Sequence, residues 1–120
     1  MIIRSTVLLS LLLLAGCGQS EQKTDDPVLA EGRRAFTDRG CITCHGKQAE
    51  GTRMGPALED LSRHYDVSRL IEYLKNPDAM IKEDERLSAQ AEDYVGMMPR
   101  FDYLSPEELE ALARYALSLD

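Results

Sequence analysis

Tryptophan is absent from this 120-residue chain, phenylalanine occurs twice, and aromatic residues make up only 6% of it. A domain so short of large apolar side chains buries a modest core on its own, and small domains commonly depend on a staple. Cysteine is scarce too. Its three residues are an odd number, which excludes a fully paired disulfide framework. Basic residues are outnumbered 14 to 21, and the formal charge of −7 argues against nucleic acid as a partner. Such a surface chiefly keeps a domain soluble, and it can also steer it toward a basic patch on another protein. No apolar run reaches the roughly 20 residues of a comfortable membrane span. Alternating strand patterns are missing as well, so one small all-α domain is expected.

Against this sparse background stands Cys41-Ile42-Thr43-Cys44-His45. Two thiols separated by two residues can both reach the vinyl groups on one edge of a porphyrin. The adjacent imidazole can then bind iron from below, and the spacing is that of c-type haem attachment. Two other chemistries use similar residues. A zinc site on Cys41, Cys44 and His45 needs a fourth ligand, and His64 is the only other histidine. A thioredoxin-like thiol pair needs an alternating strand–helix context that this chain does not display. One covalent haem c is the expected cofactor, and it would also provide the staple that the composition lacks.

The amino terminus has its own pattern. Met1 to Arg4 carries one positive charge, Val7 to Leu14 is apolar apart from Ser10, and small residues Ala15 and Gly16 precede Cys17. This is the outline of an export signal over residues 1–16. Leu14-Ala15-Gly16-Cys17 resembles the lipobox of bacterial lipoproteins, and the resemblance implies cleavage before a lipid-modified Cys17. Residues 18–27 have no apolar periodicity and read as a flexible tether that begins at Cys17. About 10 such residues reach at most ~33 Å. The expected location is therefore outside the cytoplasm, on the periplasmic side and held close to a membrane. Gly18 after the cysteine resembles the signal for the outer membrane, where the host has one.

Residues 28–120 read as the functional domain. Val28, Leu29, Ala35 and Phe36 recur at helical spacing, with Pro27 at the opening and Gly40 at the end. Asp66 or Ser68 caps a helix carrying Leu70, Ile71 and Leu74, which Asn76-Pro77 closes. Leu87, Ala91, Tyr94 and Val95 share one face of a further helix running to Gly96, within an unusually charged stretch from Lys82 to Asp93. Ser105, Pro106 and Glu108 form a capping box ahead of a stripe of Leu109, Leu112, Ala113, Ala116 and Leu119.

In order, the haem pentapeptide, Gly55-Pro56, Leu70-Ile-Glu-Tyr-Leu-Lys-Asn-Pro77, Met98-Pro99-Arg-Phe101 and the capped last helix resemble the class I c-type cytochromes. The charged stretch from Lys82 to Asp93 departs from that pattern. The resemblance implies a fold of three to five helices wrapped around one haem. Cys41 and Cys44 would form thioethers, and His45 and Met98 would be the axial iron ligands. The Pro56 carbonyl would accept the other imidazole N–H, a bond that orients the ring and raises ligand basicity. Met97, Met54, Met80 and His64 are the other residues that could fill the distal position. Arg53 and Tyr65 are candidates for a haem propionate, and Gly32 should meet Tyr115 where the first and last helices cross.

With both axial positions filled, the implied role is not enzymatic. It is a membrane-anchored carrier of single electrons between redox proteins such as oxidases, reductases, dehydrogenases or other cytochromes, with no small-molecule substrate. The alternatives are a peroxidase or gas-binding protein with a labile methionine, and a fixed relay subunit of a respiratory complex.

Overall fold

The computed structural model describes residues 26–120, so Cys17 and the proposed signal and tether up to residue 25 lie outside the described residues. Helix α1, Pro27–Asp38, begins where the Asp26 carboxylate accepts the Val28 N–H at 2.8 Å, with Pro27 in its first turn. Gly40 in the left-handed region (φ 79°) then turns the chain into α2, Cys41–His45. After a long loop and one 3₁₀ turn, Leu61–Arg63, helix α3 covers Val67–Lys75. Of its two expected caps, Asp66 is the one used, accepting the Arg69 N–H at 2.7 Å. Pro77 closes α3 and also opens α4, Pro77–Glu83. Asp84 alone separates α4 from α5, Glu85–Glu92, and its side chain accepts from Arg86 and Leu87 N–H. The last helix, α6, covers Pro106–Leu117 behind the expected capping box of Ser105 and Glu108.

The all-α reading holds, with six helices among the described residues where three to five were expected. The increase has two sources. The haem pentapeptide is itself a helical turn, and the charged stretch folds as part of the pair α4 and α5. Buried Met80 and Leu87, one on each helix, give that pair its apolar content. Helix α5 also stops at Glu92, short of Gly96, because the Val95 N–H leaves the helical pattern and donates to Arg53 O at 3.1 Å.

Helices α1 and α6 come from opposite ends of the domain and cross at Gly32. A methyl group placed there would overlap the Ala111 carbonyl oxygen and lie 2.6 Å from Tyr115 Cβ. Beside the crossing, the Phe36 and Tyr115 rings pack edge to face with centroids 5.5 Å apart. Leu112 and Ala113 are almost wholly buried here, and each fully buried leucine of this kind contributes about 1.5–3 kcal/mol. Arg39 ties the end of α1 to the start of α6 through Glu108 at 2.7 Å. This frame holds α2 on one side of a cavity, with α3, α4 and α5 arranged around it.

Candidate functional site

One turn of α2 puts Cys41, Cys44 and His45 at positions i, i+3 and i+4, hence on one face. All three line a cavity of about 540 Å³. Cys41 and His45 are buried and Cys44 is half-buried. Burial pushes the Cys41 thiol up to about 11, so an unmodified Cys41 stays protonated. Thiol redox chemistry needs the thiolate. Among the described residues, no three or more His, Cys, Asp or Glu side chains are grouped so as to hold a metal ion.

His45 Nδ1 lies 2.7 Å from Pro56 O. A carbonyl only accepts, so Nδ1 carries the proton of the neutral ring and Nε2 keeps its lone pair for a metal. The loop that carries Pro56 is fixed to α2 on both sides of the histidine. Gly51 N–H donates to His45 O at 2.7 Å, and the Thr52 hydroxyl donates to Cys44 O at 2.6 Å. Buried Gly55 packs against Cys44 and the His45 ring.

Met98 also lines the cavity, half-buried and packed against the core, whereas neighbouring Met97 in the same lining is 82% exposed. Met54 and His64 also line the cavity and are exposed. Met80 does not line it and fills the core between α4 and α5. Of the two residues considered for a propionate, Tyr65 is in the wall and Arg53 is not. Arg86 was missed from the sequence. Its Nη2 donates to the Tyr65 hydroxyl at 3.3 Å, and its guanidinium lies 5.8 Å from the Tyr65 ring centroid. Lys82, four residues earlier, lines the same wall. The available signal was this i, i+4 pair of cations inside an acidic stretch. Tyr73 joins them, its ring centroid 5.9 Å from that of Tyr65. Burial pushes its phenol up to about 12, which keeps it a hydrogen-bond donor.

The cavity therefore combines an apolar body with two thiols and a free imidazole nitrogen at one wall and cations at its border. A haem fits that donor set, since its apolar plate carries two carboxylates that need cationic partners. A family model described as cytochrome c matches residues 29–120. The chain belongs to the cytochrome c family.

Covalently bound haem c is the cofactor of that family, and the cytochrome c match covers the whole cavity wall. Cytochrome c-551 of Bacillus subtilis (strain 168) is 31% identical over 87 residues, covering 62% of this chain and 76% of that protein. Cytochrome c oxidase subunit 2 of Alkalihalophilus pseudofirmus is 27% identical over 105 residues. That match takes in 87% of this chain but only 29% of the oxidase subunit. A shorter segment is 40% identical over 43 residues to the menaquinol:cytochrome c reductase cytochrome c subunit of Bacillus subtilis (strain 168), covering 36% of this chain and 17% of that subunit. No solved structure matches the chain.

Proposed function

We propose that this cytochrome is a lipid-anchored monohaem carrier that passes single electrons between redox proteins outside the cytoplasm. Cys41 and Cys44 hold the cofactor by thioether bonds, and His45 and Met98 hold its iron. The single observation that carries this is the bond from His45 Nδ1 to Pro56 O, which leaves Nε2 free on the same helical face as both thiols. Bound there, haem c supplies a one-electron couple at iron, whose potential a histidine–methionine pair raises.

The chain's own residues do the rest. The Pro56 carbonyl fixes the ring of His45 and makes it a stronger donor. Phe36, Leu70, Leu74 and Leu112 keep water from the inner side of the cavity. Lys82 and Arg86 offer a positive border for carboxylates, with the Tyr65 hydroxyl beside Arg86. At the mouth, Met54, Val95 and Met97 are 43%, 72% and 82% exposed, an apolar contact for brief encounters with a partner. The short tether from a lipid-modified Cys17 would keep these encounters near a membrane, and several acyl chains make such anchoring stable.

A second reading is favoured by the relatives. Two of them are subunits by name, of an oxidase and of a reductase, so the domain could serve as a fixed relay within a larger assembly.

The test is a redox-difference spectrum, taken with the mass of the mature protein and its native size after mild extraction. The carrier gives a low-spin spectrum with the methionine–ferric iron charge-transfer band, the mass of residues 17–120 plus haem and lipid, and a free monohaem species. Co-extraction as a stable complex supports the relay. A colourless exported chain with only the mass of its amino acids and lipid would defeat both.

A further inference from the structure

The loop that carries Met98 is held at each end by a backbone hydrogen bond. Phe101 N–H donates to Leu74 O at 2.8 Å, and Phe101 is deeply buried, so the far end is fixed by the core. The near end rests on a different support. Val95 N–H donates to Arg53 O at 3.1 Å. Gly96 lies so close to Met54 that a Cβ would overlap the Met54 carbonyl oxygen and lie 3.1 Å from its carbon. The 52–54 segment is in turn tied to the haem-binding turn. The Thr52 hydroxyl donates to Cys44 O at 2.6 Å and accepts the Met54 N–H at 2.9 Å. A path of direct contacts therefore runs from Cys44 through Thr52 and Met54 to Gly96, two residues before Met98.

We infer that residues 52–54 are a strap by which the proximal turn sets the position of the Met98 sulfur, with Thr52 and Gly96 as its positioning residues. The inference rests on the proposal that Met98 is the distal ligand. Thr52 is exposed, so its side chain contributes little to the core. Its hydroxyl satisfies one carbonyl and one N–H that otherwise have to find water. Without it, the turn closed by Thr52 N–H to Gly55 O at 2.9 Å remains, but residues 53 and 54 lose their side-chain tie to Cys44 and can shift relative to Val95 and Gly96, which loosens the near end of the distal loop. A ligand held within about 0.5 Å of its working position depends on such support.

The test uses the haem-loaded full chain with Thr52→Val, Thr52→Ser, Gly96→Ala and Met98→Ala. Haem content, the methionine–ferric iron band and the affinity of the oxidised protein for added imidazole, which has to displace the distal ligand, are measured. Thr52→Val and Gly96→Ala should keep full haem content, weaken the band and bind imidazole roughly tenfold more tightly, equivalent to about 1.4 kcal/mol. Thr52→Ser should restore both readouts. Met98→Ala should lose the band entirely and mark the upper limit of imidazole affinity.

Wild-type band and affinity in Thr52→Val, with the band lost in Met98→Ala, overturn the strap and leave Met98 as ligand. A band that survives Met98→Ala overturns the ligand assignment and the strap with it. Thr52→Ser behaving like Thr52→Val also overturns the strap, since the hydroxyl is then not the connection. If Gly96→Ala fails to fold, the two Thr52 variants decide the matter on an exposed residue.

Discussion

Replacing Gly32 with alanine tests the helix crossing on which the domain is built. The new methyl group would meet the Ala111 carbonyl group and Tyr115 Cβ, the latter at 2.6 Å and the Ala111 carbon at 2.7 Å. No rotamer change relieves this, because the obstructing atoms are main chain or Cβ. The two helices must separate instead. Overpacking of a tight core costs about 1–3 kcal/mol, and a backbone obstruction places this site near the upper end. Alanine recovers about 1 kcal/mol of helix propensity over glycine. The net loss is about 2 kcal/mol, which in a domain of this size lowers Tm by roughly 10 °C. Thermal unfolding of the haem-loaded protein followed by far-ultraviolet circular dichroism reads the shift. Ala30→Gly is the companion variant, since Ala30 is exposed in the same helix and should show only the propensity cost of about 1 kcal/mol. A Gly32→Ala protein that melts at or above the wild-type temperature would refute the close crossing. The haem ligand spectrum of the folded fraction should stay unchanged, because the strain lies away from α2.

Ser105→Ala removes half of the capping box of α6 and should cost about 1 kcal/mol in urea unfolding, most of which Ser105→Thr regains. Asp120 is held below the usual carboxylate range by the Ser62 hydroxyl and N–H together with the Leu61 N–H, the two N–H groups lying 2.9 and 2.7 Å away. Because its folded pKa is lowered, its contribution is present above the unfolded value of about 3.9 and disappears as pH falls through the folded one. The stability gap between wild type and Asp120→Asn should therefore be widest near neutrality and close in acid; a gap that widens in acid contradicts the assignment. Glu108, lowered first by the Ser105 N–H and then by Arg39, should behave the same way in Glu108→Gln.

Much of this architecture was legible because local chemistry decides it. Ser105, Pro106 and Glu108 announce the start of α6, while the pairing of Gly32 with Tyr115 was implied by the resemblance to class I cytochromes and is what the crossing shows. What stayed hidden depends on packing between segments far apart in sequence. Ala111 is buried outside the expected apolar stripe, because it is the small residue that faces Gly32. Arg86 looked like one more surface charge until α5 was folded over the cavity beside Tyr65. The helix expected to reach Gly96 ends early, because a distant carbonyl at Arg53 claims the Val95 N–H, and no periodicity reports such competition. The identities of Cys41, Cys44 and His45 were plain in the sequence and the Pro56 carbonyl was implied by the resemblance, whereas the ties from Gly51 and Thr52 to the same turn were not.

The meeting of α1 and α6 has a temporal consequence. Gly32 and Ala111 stand roughly 80 positions apart, and bringing such points together costs an unconstrained chain about 4 kcal/mol in closure entropy. Leu112 and Ala116, on the final helix, form part of the cavity wall. While the polypeptide emerges from its amino end, the pentapeptide is therefore presented well before that wall exists. Until α6 closes against α1, the face of α2 that carries both thiols borders an open bowl rather than a closed cavity.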